Sequence, residues 1–430
     1  MKIVIIGAGS ASFGRGVLAD CFQEEARALP DLEICLVDTD PQALATMTAF
    51  AERLRESTGS SVRLTNHTDR RQALPGADYV ITAVAVRRME LWEQDFRVPH
   101  AHGVEHILGE NGGPGALFHA LRSFHLMLPI CRDLEELCPT ALLLNFTNPE
   151  ARVLHAILHL TRVRAIGLCH GIFGLETLAS RLSGVPLEDL EVTSAGLNHV
   201  FCALSIKDKR TGREWLPELL RRVQEDETVP VPPLYREMAR IYDVLSYPSD
   251  DHIGEYFSFG TEFHGRKWPY GIESRKVTEP APGAPGDLVE RFLRGEAPVE
   301  EALQASGEVA LPVICALQQA LPLRVAAVNL LNTGPLIANL PEHAAVEVPA
   351  LVSREGVQPL TVGPLPEGWA AHLRTQVAII GLLTEAYRTR SKKLLLQALL
   401  LDTCLHSVRG ARSLLEDMLE RQAEYLPEFG

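Results

Sequence analysis

The stretch MKIVIIGAGSASFG, residues 1–14, decides the fold. Lys2–Ile6 is a short apolar run with the composition of a buried strand. It ends on Gly7, continues through Gly9 and Ser10, and reaches Gly14 as a helix is expected to begin. A glycine closing a buried strand permits a tight turn. A second lets an anionic group approach the backbone at a helix N-terminus, where the dipole favours negative charge. Asp38 closes the next apolar run, Leu32–Val37, where a carboxylate can bind ribose hydroxyls and repel a 2′-phosphate. Ser12 stands where the GxGxxG pattern has its third glycine, so the motif is imperfect. A Gly-rich turn alone is also an ordinary structural turn. Strand, glycines, helix and Asp38 in this order predict an NAD site on Gly7, Gly9, Ser10 and Asp38.

Outward from this turn, the first third of the chain alternates strand and helix. Pro41–Glu56 reads as helix, Tyr79–Ala83 as strand, Ala116–Cys138 as a long helix and Leu142–Phe146 as strand. Such alternation predicts a parallel sheet covered on both faces, a Rossmann-type doubly wound α/β fold of the lactate/malate dehydrogenase kind. Beyond about Cys169 the pattern is mixed. Leu190–Ser194 and Phe201–Lys207 read as strands, and Glu218–Val244 as helix broken at VPVPPL. TEPAPGAPGD (278–287) reads as an irregular flap, and the chain from Ala370 onward as helical. The division predicted is a nucleotide-binding domain over 1–170 and a mixed α/β lobe over 171–430, interlocked with it.

Composition removes several function classes. The chain has 430 residues, 46% hydrophobic and 22% charged, the balance of an ordinary globular protein with room for two lobes. A formal net charge of −14 argues against a nucleic-acid partner, which needs a basic footprint. No run approaches the roughly 18 apolar residues of a membrane span, and the N-terminal apolar run breaks too early for a signal peptide. Eight scattered cysteines without a CxxC pair fit a reducing cytoplasm better than a disulfide framework.

Four further segments fall at expected strand ends or turns, where a doubly wound sheet carries its chemistry. They are NFTNPE (145–150), GLCHG (167–171), GLNHV (196–200) and SDDHIGEY (249–256), and GGPGALFHALRS begins at Gly112. With the opening GxGS and the late NLLNTGPLIANLPEHAAVEVP (329–349), this ordered set resembles glycoside hydrolase family 4, from residue 1 to about 405. Judged alone, Cys169 reads as a small core residue, His199 as a structural histidine, and Asn148 as part of an Asn-Pro turn.

The resemblance gives these residues roles. It implies that Cys169 and His199 hold a divalent metal, usually Mn²⁺, and that Asn148 contacts both sugar and nicotinamide, with Asn145 a weaker candidate. Asp250 is the candidate base, with Asp251 and Tyr256 as rivals, and His170 the candidate acid or substrate-orienting group. The implied reaction oxidises sugar C3 with NAD, removes the C2 proton, eliminates the leaving group, adds water and returns the hydride, unlike the two-carboxylate route of most glycosidases.

Cys169-His170-Gly171 resembles the α-glucuronidase branch. Trp92 stands where phospho-sugar relatives carry an arginine, so the substrate expected is a non-phosphorylated α-glycoside of a uronic acid, its carboxylate met by Arg275. Relatives show a Gly-Asp-Thr-type stretch before GPG. Here it is Gly109-Glu110-Asn111-Gly112-Gly113-Pro114-Gly115, and no substrate contact is assigned to it. The alternatives are an α-glucosidase or α-galactosidase of the same family, and a simple NAD-dependent sugar or 2-hydroxy-acid dehydrogenase. The resemblance also implies a homodimer or homotetramer.

Overall fold

The computed structural model describes residues 1–10, 13–27, 29–264, 285–319 and 321–430. Strands β1 (Lys2–Ile6), β2 (Glu33–Val37), β3 (Arg63–His67), β4 (Tyr79–Thr82), β5 (Leu142–Asn145) and β6 (Arg164–Gly167) pair in parallel. Strands β7 (Leu190–Leu197), β8 (Val200–Asp208), β9 (Leu323–Leu331), β10 (Ala345–Ser353) and β11 (Gly356–Pro359) pair antiparallel. Among the described residues all eleven belong to one sheet, ordered β3-β2-β1-β4-β5-β6-β9-β10-β7-β8, with β11 beside β10. The first six follow the 3-2-1-4-5-6 order of the Rossmann fold. The order reverses between β1 and β4, and a ligand crevice opens beyond the carboxyl ends of strands at such a point.

Strand β1 shows why both faces of this half are covered. Val4 and Ile6 enter one core and Ile3 and Ile5 the other, all nearly inaccessible, as the two-residue strand period requires. Each such side chain contributes about 1.5–3 kcal/mol of burial free energy. The Val4 face is covered by helix Gly113–Leu137 and also by the C-terminal helices Glu367–Thr389, Lys392–Leu401 and Val408–Arg421, through Leu383, Leu395 and Leu414. The end of the chain therefore packs on the sheet that its beginning builds. The run 278–287 is only partly described. Its last residues open the helix Pro285–Arg294, which corrects the reading of the whole run as irregular. Proline is tolerated at a first helical position because its missing N–H has no intrahelical partner there.

Helices Arg88–Ala101 and Gly113–Leu137 both deliver side chains to the crevice, and a buried ion pair sets their relation. Arg122 donates from Nη1 and Nη2 to Asp95 (2.9 and 2.6 Å) and from Nη1 to Gln422 (2.7 Å), which lies just past the last long helix. Arg122 and Asp95 are 4% and 0% exposed, so removing one leaves an uncompensated buried charge. Arg122→Met is expected to lower stability by about 3–5 kcal/mol, read from the shift of the denaturant midpoint. The double change Arg122→Met/Asp95→Leu should recover most of that loss; a double variant as unstable as the single one would contradict this account.

Candidate active site

One cleft of about 790 Å³ lies beyond the carboxyl ends of the parallel strands and runs from Gly7 and Asp38 to Cys169 and His199. At its first end Gly7 has φ 90°, a region that favours glycine, and a Cβ there would stand 2.4 Å from the Ala83 carbonyl. Gly7 N–H and Ala8 N–H both donate to the Val37 carbonyl (2.9 and 3.1 Å). Asp38 accepts from Gly9 N–H (2.8 Å) and Asp40 N–H (3.0 Å). Gly9 thus holds the Asp38 carboxylate, and among the described residues it does not itself line the cleft. Ser10 Oγ accepts from Phe13 N–H (3.2 Å) and so caps the helix Phe13–Cys21. From this helix Arg15 enters the cleft with Nε and Nη1 buried and without a hydrogen-bond partner. An unsatisfied guanidinium beside a helix N-terminus fits an anionic ligand. Ser12, the imperfect position of the motif, lies outside the described residues.

At the other end Cys169 follows β6 and His199 sits in the two-residue turn between β7 and β8. His199 takes the left-handed φ of 67°, an uncommon backbone for a non-glycine residue that aims its ring at Cys169. Sγ and Nε2 are 3.4 Å apart. Ligands at about 2.3 Å (S) and about 2.0 Å (N) from one cation, at right to tetrahedral angles, lie roughly 3.1–3.6 Å from each other, so the pair fits one metal ion. Burial, then the charge of Glu347, pushes the Cys169 thiol up to about 12, and burial holds His199 well below its ordinary value. A neutral imidazole is ready to ligate, and a cation would reverse the thiol's preference by favouring the thiolate. Among the described residues no group of three or more His, Cys, Asp or Glu is arranged around a metal, so further coordination would come from outside the pair.

The remaining sequence candidates divide. Asn148 lines the cleft, with its carbonyl accepting from Ser123 Oγ (2.7 Å). Asn145 does not. Its side chain accepts from Thr82 Oγ1 and Thr147 N–H (both 3.2 Å) and shapes the turn after β5. His170 is exposed at the cleft edge, and its Nδ1 meets Glu308 (3.1 Å), which raises its pKa. Asp250 is turned away: its two oxygens accept from Leu234 N–H and Tyr235 N–H (both 2.9 Å), capping the helix Pro233–Tyr242. Tyr256 is buried behind the cleft, its hydroxyl on the Asn198 carbonyl (3.4 Å). Arg275 lies outside the described residues.

The group of this segment that does face the cleft is His252. Its ring lies 5.0 Å from that of His199 and 5.2 Å from that of Tyr247. Asp251 Oδ1 binds its Nδ1 (2.8 Å), and Ser249 Oγ donates to the same carboxylate. Burial alone would lower the His252 pKa; the bond and charge of Asp251 outweigh it and raise it.

Sequence reasoning also passed over Glu110, His119, Arg88 and Glu308. Glu110 is 5% exposed, lines the cleft, and accepts from Arg88 Nη2 (2.9 Å). Burial lowers His119 to about 3, and its Nδ1 is 2.8 Å from the Glu110 carbonyl. A neutral ring donating there leaves Nε2 as an acceptor. A signal for Glu110 existed, an acidic residue in a Gly-rich loop before a helix. None existed for Glu308, whose relevance depends on a contact 138 residues away in sequence.

The scaffold and the cleft have counterparts among known proteins. The model of family 4 glycosyl hydrolases matches residues 2–185, and the model of that family's C-terminal domain matches residues 194–405. An α-glucosidase of Erwinia rhapontici is 31% identical, over 99% of this chain and 98% of its own. An α-galactosidase of Bacillus subtilis is 31% identical, over 100% of this chain and 99% of its own. The 6-phospho-β-glucosidase of Thermotoga maritima, solved with manganese, NAD⁺ and glucose-6-phosphate, superposes with a TM-score of 0.84, covers 100% of both chains and is 23% identical. Fold and sequence together define a glycoside hydrolase. The chain belongs to family 4.

One buried carboxylate fixes the Glu110 loop. Glu255 Oε2 accepts from Asn111 N–H (2.6 Å) and Gly112 N–H (2.7 Å), and burial, then the Glu110 charge, pushes its pKa up to about 8. An acid with a raised folded pKa binds more protons folded than unfolded. Its contribution is fully present below about 4.5 and is lost as pH rises through about 8. The melting temperature of the wild type is therefore expected to fall between pH 5 and 8.5 more steeply than that of Glu255→Gln. Parallel melting curves for the two proteins would remove Glu255 from this role.

Proposed function

We propose that this protein hydrolyses non-phosphorylated α-glycosides by an NAD- and divalent-metal-dependent oxidation–elimination route, as a cytoplasmic enzyme. The carrying observation is the single cleft that joins Gly7, Arg15 and Asp38 to the Cys169–His199 pair, 3.4 Å apart. Bound NAD would take up and return a hydride at the sugar's C3, and a Mn²⁺ ion would act as a Lewis acid toward the sugar's vicinal oxygens. Asp38 and the helix Phe13–Cys21 orient the dinucleotide, and Arg15 meets its negative charge. Cys169 and His199 are the metal ligands, and Asn148 bridges the sugar and nicotinamide ends of the cleft.

The proton at C2 passes to His252, with Asp251 holding the ring through Nδ1 so that Nε2 carries the basic lone pair. This reassigns the base from Asp250, whose oxygens are committed to a helix cap. His170, with its pKa raised by Glu308, is the proton donor to the leaving oxygen.

The finer substrate reading is a uronic acid. It rests on Cys169-His170-Gly171 and on Arg88, a cleft-lining cation beside Glu110 able to meet a carboxylate. Trp92 is buried with its indole N–H on the Leu108 carbonyl (3.0 Å), which leaves it no part in phosphate binding. A neutral α-hexoside is the second reading, favoured by the two relatives at 31% identity.

Incubation with NAD, Mn²⁺ and p-nitrophenyl α-glycosides should release phenol without net NADH. Stoichiometric NADH with no phenol would instead mean a dehydrogenase. In a panel of α-glucuronide, α-galacturonide, α-glucoside, α-galactoside and their 6-phosphates, the uronides are expected to lead. A lead for a neutral hexoside would remove the uronide reading alone, and a lead for a phosphorylated sugar would remove both.

Turnover in D₂O should place deuterium at C2 of the released sugar. His252→Gln should reduce exchange and hydrolysis together, by a factor on the order of 10²–10⁴, while Asp250→Asn should act mainly on stability. Full exchange in His252→Gln would return the role of base to another group.

A further inference from the structure

Away from the cleft, three histidines gather at the end of the helix Glu150–Leu160. His155 and His159 stand at i and i+4, so the helix puts both on one face. Their ring centroids are 4.1 Å apart with the planes tilted by 34°, and the ring of His343 lies 6.5 Å from that of His159. His343 belongs to the connection that enters β10. Each helix histidine has one ring nitrogen engaged. His159 Nε2 donates to the His343 carbonyl (2.9 Å), which leaves the lone pair on Nδ1. His155 Nδ1 meets Thr384 Oγ1 (2.9 Å) of the helix Glu367–Thr389; with its N–H donated there, Nε2 carries the lone pair. That Nε2 is buried without a hydrogen-bond partner, on a residue only 4% exposed.

An imidazole whose second nitrogen donates to a fixed oxygen is the form in which histidine ligates metals. Burial pushes His155 down to about 3, so no proton has to leave it first. Two imidazoles on one ion at a right angle have centroids about 4.5 Å apart, given metal–nitrogen distances of about 2.0–2.1 Å. A small rotation of the exposed His159 ring reaches that spacing from 4.1 Å. His159 also lies in the last turn of its helix, where the dipole favours a cation. We propose that His155 Nε2 and His159 Nδ1 chelate one divalent ion of the zinc class, at a site separate from the Cys169–His199 pair. Among the described residues no three such groups already converge, so a turn of the exposed His343 side chain would supply a third ligand and water the rest. Imidazole donors select zinc, nickel or copper over manganese, which prefers oxygen. The bound ion staples the helix that follows Asn148-Pro149 to the connection that leads to Glu347 on β10, and so acts on stability rather than on the chemistry.

Cys169→Ser provides the background, because it disables the other candidate metal pair and leaves the three histidines in place. Bound zinc is measured by competition with a chromophoric chelator, and Cys169→Ser is expected to retain a zinc equivalent. Adding His159→Gln, a change at an exposed position that leaves the core intact, should weaken that equivalent by more than about tenfold. Adding Thr384→Val, which removes the oxygen orienting His155, should weaken it by about 10–100-fold. Zn²⁺ should raise the melting temperature of Cys169→Ser, Mn²⁺ should not, and the rise should vanish with His159→Gln. Anomalous scattering at the zinc edge from soaked crystals should place the ion between the His155 and His159 rings. Zinc affinity and melting shift unchanged by His159→Gln would overturn the proposal. So would the lack of any zinc equivalent in Cys169→Ser, which would leave only water beside His155 Nε2. None of these measurements involves NAD or turnover, so the histidine site stands or falls apart from the glycosidase reading.

Discussion

A row of four residues across the sheet, Gly167 on β6, Asn329 on β9, Glu347 on β10 and Gly196 on β7, is the constraint on which the site depends. It is where the parallel half of the sheet meets the antiparallel half, and it lies under the two candidate metal ligands. Cys169 is two residues beyond the first member and His199 three beyond the last. The middle of the row is polar: Glu347 Oε2 accepts from Asn329 Nδ2 and Asn198 Nδ2, both at 3.1 Å. Asn198 is the neighbour of His199, so the interior of the sheet grips the turn that presents that histidine. The outer members must be small. A Cβ on Gly167 would overlap Glu150 Oε1 at 1.5 Å, and one on Gly196 would stand 2.5 Å from the Phe201 Cα. Bulk at either end would separate the strands whose termini bring sulfur and imidazole together.

The same row explains the electrostatics of the site. Glu150 and Glu347 are buried side by side, 1% and 2% exposed, and burial raises both, with Glu347's charge adding to the rise at Glu150. Whatever charge Glu347 carries opposes the bare Cys169 thiolate, and a cation in front of the sulfur would offset it. An acidic protein thus concentrates a preference for positive charge at one end of the cleft, while Arg15 provides for negative charge at the other. The two ends want different partners, as the proposed binding of a dinucleotide at one end and a metal-bound sugar at the other would require.

Much of the fold was legible because its first half obeys local rules. The turn at Gly7, the alternation through Leu142, and the paired strands around GLNHV follow from composition and period. Strand β3, RLTNH, was not legible: it is an edge strand with mixed burial and no apolar period, and pairing alone makes it a strand. Strands β9 and β10 have ample apolar character, but their value lies in Asn329 and Glu347, whose partners come from other strands. The site follows the same rule. Cys169, His199 and Asn148 sit at strand ends, where sequence order marks them. Glu308 lies beside the cleft in a loop that Ser306 ties to Asp20 of the first helix (N–H to carboxylate, 2.9 Å), a contact between residues 286 apart.

The Asp250-Asp251-His252 run shows why residue type alone could not choose among adjacent acids. All three open one short helix, Asp250–Gly254, and successive residues of a helix point about 100° apart. The direction taken by the first fixes the others. The N-terminus of helix Pro233–Tyr242 leaves backbone N–H groups needing acceptors, and the Asp250 carboxylate meets two of them. With Asp250 held there, Asp251 bonds back to Ser249 and to His252, and His252 turns toward His199. One carboxylate therefore serves a helix end and the next orients an imidazole. Of the three, the side chain that faces the cleft is neither acid but the histidine that both position, the first through the backbone and the second through Nδ1, and it is the one proposed above as the base.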